Sequence, residues 1–125
     1  MTDVFMYADE TGNLDYNLVG GGSKYFGIGT ATWQGDHGAH LWQATQLRFQ
    51  HSQAGVDLPA GYHAVNDSHA TRKEVFDLIK TQAPRFDTTF LAKSRAYPSV
   101  RAKGENYLYQ MAWYLHFNLP VHDGQ

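Results

Sequence analysis

"DVFMYADETGN", residues 3–13, decides how the rest of the chain is read. Residues 3–8 form an apolar run without polar alternation, the pattern of a strand covered on both faces, so a central strand is expected here. The run stops at two adjacent carboxylates, Asp9 and Glu10, followed by Thr11, Gly12 and Asn13. One reading is an Asx-type turn, in which Asp9 accepts backbone N–H groups and Gly12 supplies a positive φ. The other places functional acids at the strand's end, where loops leave an α/β sheet. Local chemistry leaves both open.

Working outward, the Gly- and Asn-rich segment GNLDYNLVGGGS (12–23) precedes KYFGIGTATW (24–33), whose β-branched and aromatic residues read as the second strand of a hairpin. Residues 35–55 carry helical spacing in Leu41, Ala44 and Leu47, with Asp36 as a cap and Gly55 as the stop. GYHAV (61–65) reads as a short extended piece. The next helix starts at an Asp67 or Ser68 cap, with Thr71 and Glu74 fitting a capping box, and Pro84 ends it. Its buried stripe is expected to be Val75, Phe76, Leu78 and Ile79. RFDTTFLAKS (85–94) is a further strand and AYPSVRAKG (96–104) a basic loop. ENYLYQMAWYLHFNLP (105–120) is a helix that Pro120 terminates. That helix has almost no polar face, so residues 107–117 should be covered by a partner, by a second copy in a homodimer, or by sequence this chain lacks.

Strands and helices in this order indicate an α/β layered domain. A chain of 125 residues suits a single domain, 1–125. The absence of cysteine excludes disulfides, thiolate zinc sites and cysteine nucleophiles. No leader-like start and no stretch of about 20 apolar residues is present, so a cytoplasmic protein is the default. The formal net charge of −2 gives no global attraction to phosphate. Nucleic-acid binding would need a local basic patch or metal ions.

Several clusters offer chemistry. His63 and Asp67 flank the start of the second helix and suit a divalent ion or proton handling, or else a strand histidine and a helix cap. His37 and His40 lie three apart, but spacing ties no third ligand to them, and surface histidines are the better reading. Lys93, Arg95, Arg101 and Lys103, with Tyr97 among them, form either a phosphate-contacting edge with a stacking residue or a solvated loop. Gly20–Lys24 has the wrong spacing for a phosphate loop and precedes a strand rather than a helix.

Taken in order, YADETGN, YFGIGTATW, YHAVNDSHATRKEVFDLI, FLAKSRAYPSV and YLYQMAWYL resemble the domain of unknown function 3800 family of bacteria and phages, whose members look like divergent ribonuclease H-like proteins. The resemblance implies an α/β fold with a ribonuclease H-like mixed sheet and flanking helices, in a shortened form. It implies a divalent-metal-dependent nuclease, or a domain derived from one, with Mg²⁺ or Mn²⁺ as cofactor and nucleic acid as partner. By the same likeness Asp9 and Asp67 are the metal ligands, and Asp9, Glu10, His63 and Asp67 the catalytic set. Arg72, Lys93 and Arg95 would contact the substrate's phosphates. Nucleases of this type usually complete the site with an acid from a later strand or helix; here the only late acid is Asp123, so the chain resembles the front part of the family pattern, with an incomplete carboxylate set. A non-catalytic interaction protein on the same fold is the alternative.

Overall fold

The computed structural model of the chain describes residues 2–118. Three strands, β1 (Val4–Thr11), β2 (Tyr25–Gln34) and β3 (Arg85–Ala92), form an antiparallel sheet in the order β1-β2-β3. Four helices accompany it among the described residues: α1 (Gly38–Gln53), α2 (His69–Gln82), the single-turn α3 (Pro98–Arg101) and α4 (Glu105–Asn118). The sheet is wholly antiparallel, where a mixed one was expected. Pro120 and Asp123 lie outside the described residues.

β2, not β1, is the central strand. β1 is an edge, and each of its residues is exposed. The expectation failed because an apolar run reports that a strand wants cover, not that these residues supply it. Phe26 and Ile28 on β2 meet the requirement instead, at 2% and 1% exposure.

The described residues divide into two compact units, one of residues 2–5 with 32–85, the other of residues 6–31 with 86–118. In the second unit, Phe26, Ile28 and Ala112 form the core, with Leu14, Leu91 and Trp113 packed against it. Glycine is required at position 27. A Cβ there would stand 2.6 Å from the Phe90 ring and 2.9 Å from Thr11 Cγ2. Phe90 therefore lies across bare β2 backbone on the face opposite Phe26 and Ile28, since successive strand residues alternate faces. On the Phe26 side, α4 buries Leu108 and Ala112 and sets His116 between two strand hydroxyls, Thr30 Oγ1 at 2.7 Å and Thr89 Oγ1 at 2.8 Å. Tyr114 and Phe117 on the same helix remain 66% and 56% exposed.

In the first unit α1 packs on α2. Ser68 caps α2 by accepting the Thr71 N–H at 3.2 Å. The capping residue is thus Ser68 rather than Asp67, and Glu74 is drawn to a different partner, His51. Val75, Leu78 and Ile79 are half-buried as expected, whereas Phe76 is exposed. α2 stops where Ala83 takes a left-handed φ of 50° ahead of Pro84, which is disfavoured from continuing the helix. The piece expected to be extended, residues 61–65, forms no strand; an isolated bridge joins Pro59 to Gly61. α1 starts with His37 at its cap position, while Asp36 Oδ1 accepts the Gly38 N–H at 2.9 Å. Among the described residues no helix is long and apolar enough to cross a membrane.

Candidate functional site

β1 carries Asp9 and Glu10 two and one residues before its end. Both are exposed, and the Glu10 N–H donates to Asp9 Oδ1 at 2.9 Å. That bond fixes the carboxylate locally and leaves its remaining lone pairs open, since an ionised carboxyl group accepts at about four sites. Strand alternation sends Asp9 to the face of Thr11 and Phe90, and Glu10 to the other face. The two acids were expected to serve one site; side-by-side residues on a strand do not face the same ion.

Immediately beyond, residues 12–24 are organised by Lys93. Its side chain is 1% exposed, and its ammonium donates to Asn13 O (2.9 Å), Asn13 Oδ1 (3.1 Å) and Asp15 O (2.6 Å). An ammonium has three N–H groups, and all are engaged. Asn13 Oδ1 also accepts the Ser23 and Asp15 N–H groups, and Ser23 Oγ accepts the Asn13 N–H at 2.9 Å. Burial pushes the Lys93 pKa down, opposed by the charges of Asp15 and Glu105. The expected phosphate contact through Lys93 is corrected: this side chain closes a loop and has no donor to spare. The basic sequence pattern could not separate the two, because a caged lysine and an exposed one have the same neighbours in sequence.

The rest of the basic segment divides in the same way. Arg101 donates to the carbonyls of Lys93 (3.1 Å) and Ser94 (3.3 Å) and lies over the Tyr16 ring at 5.7 Å. Lys103 lies 4.6 Å from the centre of the Tyr107 ring. Arg95 and Tyr97 are exposed and stay open to a ligand.

His63, Asp67 and Arg72 belong to the other unit. The half-buried Asp67 accepts the His63 N–H through Oδ2 at 2.9 Å, and the Asn66 and Asp67 N–H groups both donate to His63 O. Arg72 reaches back to Ala64 O at 3.0 Å and to His69 Nδ1 at 3.2 Å. Asp67 and Arg72 thus hold the turn before α2, and the exposed His63 is carried on it. His37 is buried, with its ring stacked on Trp33 at 5.6 Å, which removes it from any surface pair with His40.

Among the described residues no three His, Cys, Asp or Glu side chains gather closely enough to hold a metal ion together. Comparison with protein-family models, with curated proteins and with solved structures found no match to this chain.

The residue that sequence reasoning missed on the β1 side is Phe90. It is 60% exposed and lies over Gly27 beside Thr11, an aromatic face set on the same side of the sheet as Asp9. The pairing of a bare glycine in one strand with an aromatic in the next was the available clue.

Proposed function

We propose that this chain is a ribonuclease H-like domain that hydrolyses phosphodiester bonds in nucleic acid with a divalent metal, Asp9 being the first ligand. One observation carries this reading. Asp9 is an exposed carboxylate, held by a single backbone N–H, on a sheet face that also presents Phe90. The donors there are hard oxygens, which suit Mg²⁺ or Mn²⁺. Mg²⁺ commonly takes one or two carboxylates and completes its shell with water and substrate phosphates, so a cage of three acids is not required. The ion, when bound, would activate water and stabilise the leaving oxygen. Asp9 would hold the ion, Phe90 offers a stacking surface to a base, and Arg95 draws the phosphate backbone. Glu10, on the opposite face, has no part in binding that ion.

The test is cleavage of a mixed panel of single- and double-stranded DNA and RNA in Mg²⁺ or Mn²⁺. Cleavage that stops in Asp9→Asn, with the circular-dichroism spectrum unchanged, is the expected result; cleavage that persists in the variant, or none in the parent protein, rejects it.

A second reading rests on a different observation, the exposure of Tyr114 and Phe117 on α4. A non-catalytic protein would use that surface for a second copy or another protein. Sedimentation as a monomer at tens of micromolar would count against the homodimer form of this reading.

A further inference from the structure

Away from these acids, the first unit contains a second constellation. His51, in the last turn of α1, is 6% exposed and both of its ring nitrogens are engaged. Nε2 lies 2.8 Å from Glu74 Oε2 on α2, and Nδ1 lies 2.7 Å from the Tyr62 hydroxyl. A carboxylate only accepts, so Nε2 carries the proton. In the neutral ring Nδ1 is then a lone pair, and the Tyr62 O–H must donate to it. Hydrogen-bond logic alone therefore gives the order carboxylate, imidazole, hydroxyl: an orienting acid, a base and a hydroxyl whose proton is already aimed at that base. His116, in the other unit, shows what a merely structural histidine needs. It bridges two threonine hydroxyls with no carboxylate to fix its tautomer.

The surroundings supply a cation for that hydroxyl. Tyr62 is half-buried rather than sealed. Arg48, one turn before His51 on α1, has its guanidinium 3.9 Å from where a Cβ on Gly61 would stand, and it acts electrostatically on Tyr62. Arg48 also lines a cavity of about 270 Å³ with Ser52, Val56, Asp57, Leu58 and Pro59, so the guanidinium, not the hydroxyl, is what faces that space. Burial pushes the Tyr62 pKa above its usual 10.0, which favours the protonated phenol at rest.

We propose that Tyr62 is a nucleophile, with His51 as its general base and Glu74 as the orienting acid, and that it accepts a phosphoryl group from an anionic donor held by Arg48. Tyr62 Oη forms a bond to phosphorus as its O–H bond breaks and the proton passes to His51 Nδ1. The P–O bond to the leaving group breaks, and that oxygen departs with the electron pair and takes the proton back from His51. Nothing is oxidised or reduced. The step uses none of the residues assigned to the metal, so it stands or falls separately from the hydrolase reading.

Incubation with an alkyl fluorophosphonate, followed by peptide mass spectrometry, tests the nucleophile directly. Tyr62 is expected to be labelled at least about tenfold faster than the more exposed Tyr25 and Tyr97, a modest share of what a general base provides. Glu74→Gln, which keeps the side-chain shape, should slow that labelling about tenfold, and His51→Gln should reduce it to the rate of the exposed tyrosines. Arg48→Gln should slow labelling by acetyl phosphate, which is anionic, and leave labelling by the neutral fluorophosphonate unchanged. Labelling of Tyr62 no faster than Tyr97, or at the parent rate in a folded Glu74→Gln protein, overturns the proposal.

Discussion

Two segments carry most of the candidate residues, and they are held by opposite means. Residues 12–24 close around a cation: the three N–H groups of Lys93 meet three oxygens of Asn13 and Asp15. Residues 62–67 are held from the anionic side, by the Asp67 carboxylate on the His63 N–H, with Arg72 and Tyr62 anchoring the flanks. The difference is one of remaining capacity. A saturated ammonium has nothing left for a ligand, whereas a carboxylate that accepts one hydrogen bond keeps most of its lone pairs. A cation in a carbonyl cage is thus a structural commitment, and a lightly bonded carboxylate is an open position.

The strongest way to break that contrast is to empty the cage. Lys93→Met keeps much of the side-chain length and removes every donor, so Asn13 O, Asn13 Oδ1 and Asp15 O all lose their charged partner. The expected cost is about 3 kcal/mol in urea unfolding with the m-value unchanged, since hydrogen bonds to a charged group contribute on the order of 1.5–3 kcal/mol. A loss below about 1 kcal/mol would mean that water replaces the ammonium and that the segment is not held by it.

Much of the element order could be read in the residues, because caps, prolines and glycine turns act locally. Ser68, Pro84 and the Gly-rich hairpin sit where their chemistry requires. The errors came where the deciding partner is far away in sequence. The apolar run of β1 says nothing about which strand pairs on its second side, and Lys93 looks basic until Asn13, 80 residues earlier, is brought to it. The candidate site was legible only as types and order of residues; that Asp9 and His63 are exposed comes from the structure. Which acids share a face was not, because Asp9 and Glu10 are adjacent in sequence and a strand turns that adjacency into opposition.

The same cage makes a pH prediction of smaller size. The folded-state pKa of Lys93 is lowered from 10.5, chiefly by burial. Below that lowered value both states hold the proton, and the burial penalty is fully present. Between it and 10.5 the unfolded chain binds more protons than the folded one, so stability rises with pH across that interval. Tyr16 and Tyr62, whose folded pKa values are raised above 10.0 by burial, act in the opposite sense: their contribution is lost as pH climbs from 10.0 through those raised values. Urea unfolding at successive pH values up to 10 should therefore show the parent protein gaining on Lys93→Met as pH increases. A gap that narrows over that interval would mean the amine is stabilised by charge, not penalised by burial.

The smallest effects decide which carboxylate is open. Asp67→Ala removes the acceptor of the His63 N–H in a half-buried turn, and about 1 kcal/mol of stability should go with it, at the lower end for hydrogen bonds to a charged group. Ser68 still caps α2 in that variant, so the helix should keep its ellipticity. Asp9→Ala removes an exposed carboxylate bonded only to the next residue's N–H on an edge strand, and stability should change by no more than about 0.5 kcal/mol. The two substitutions are matched in chemistry and differ only in what each carboxylate already does. Should Asp9→Ala prove the more costly, Asp9 would be a structural turn residue, and the open position would move to Asp67. Should both be silent, neither carboxylate holds its segment, and both remain free to bind an ion.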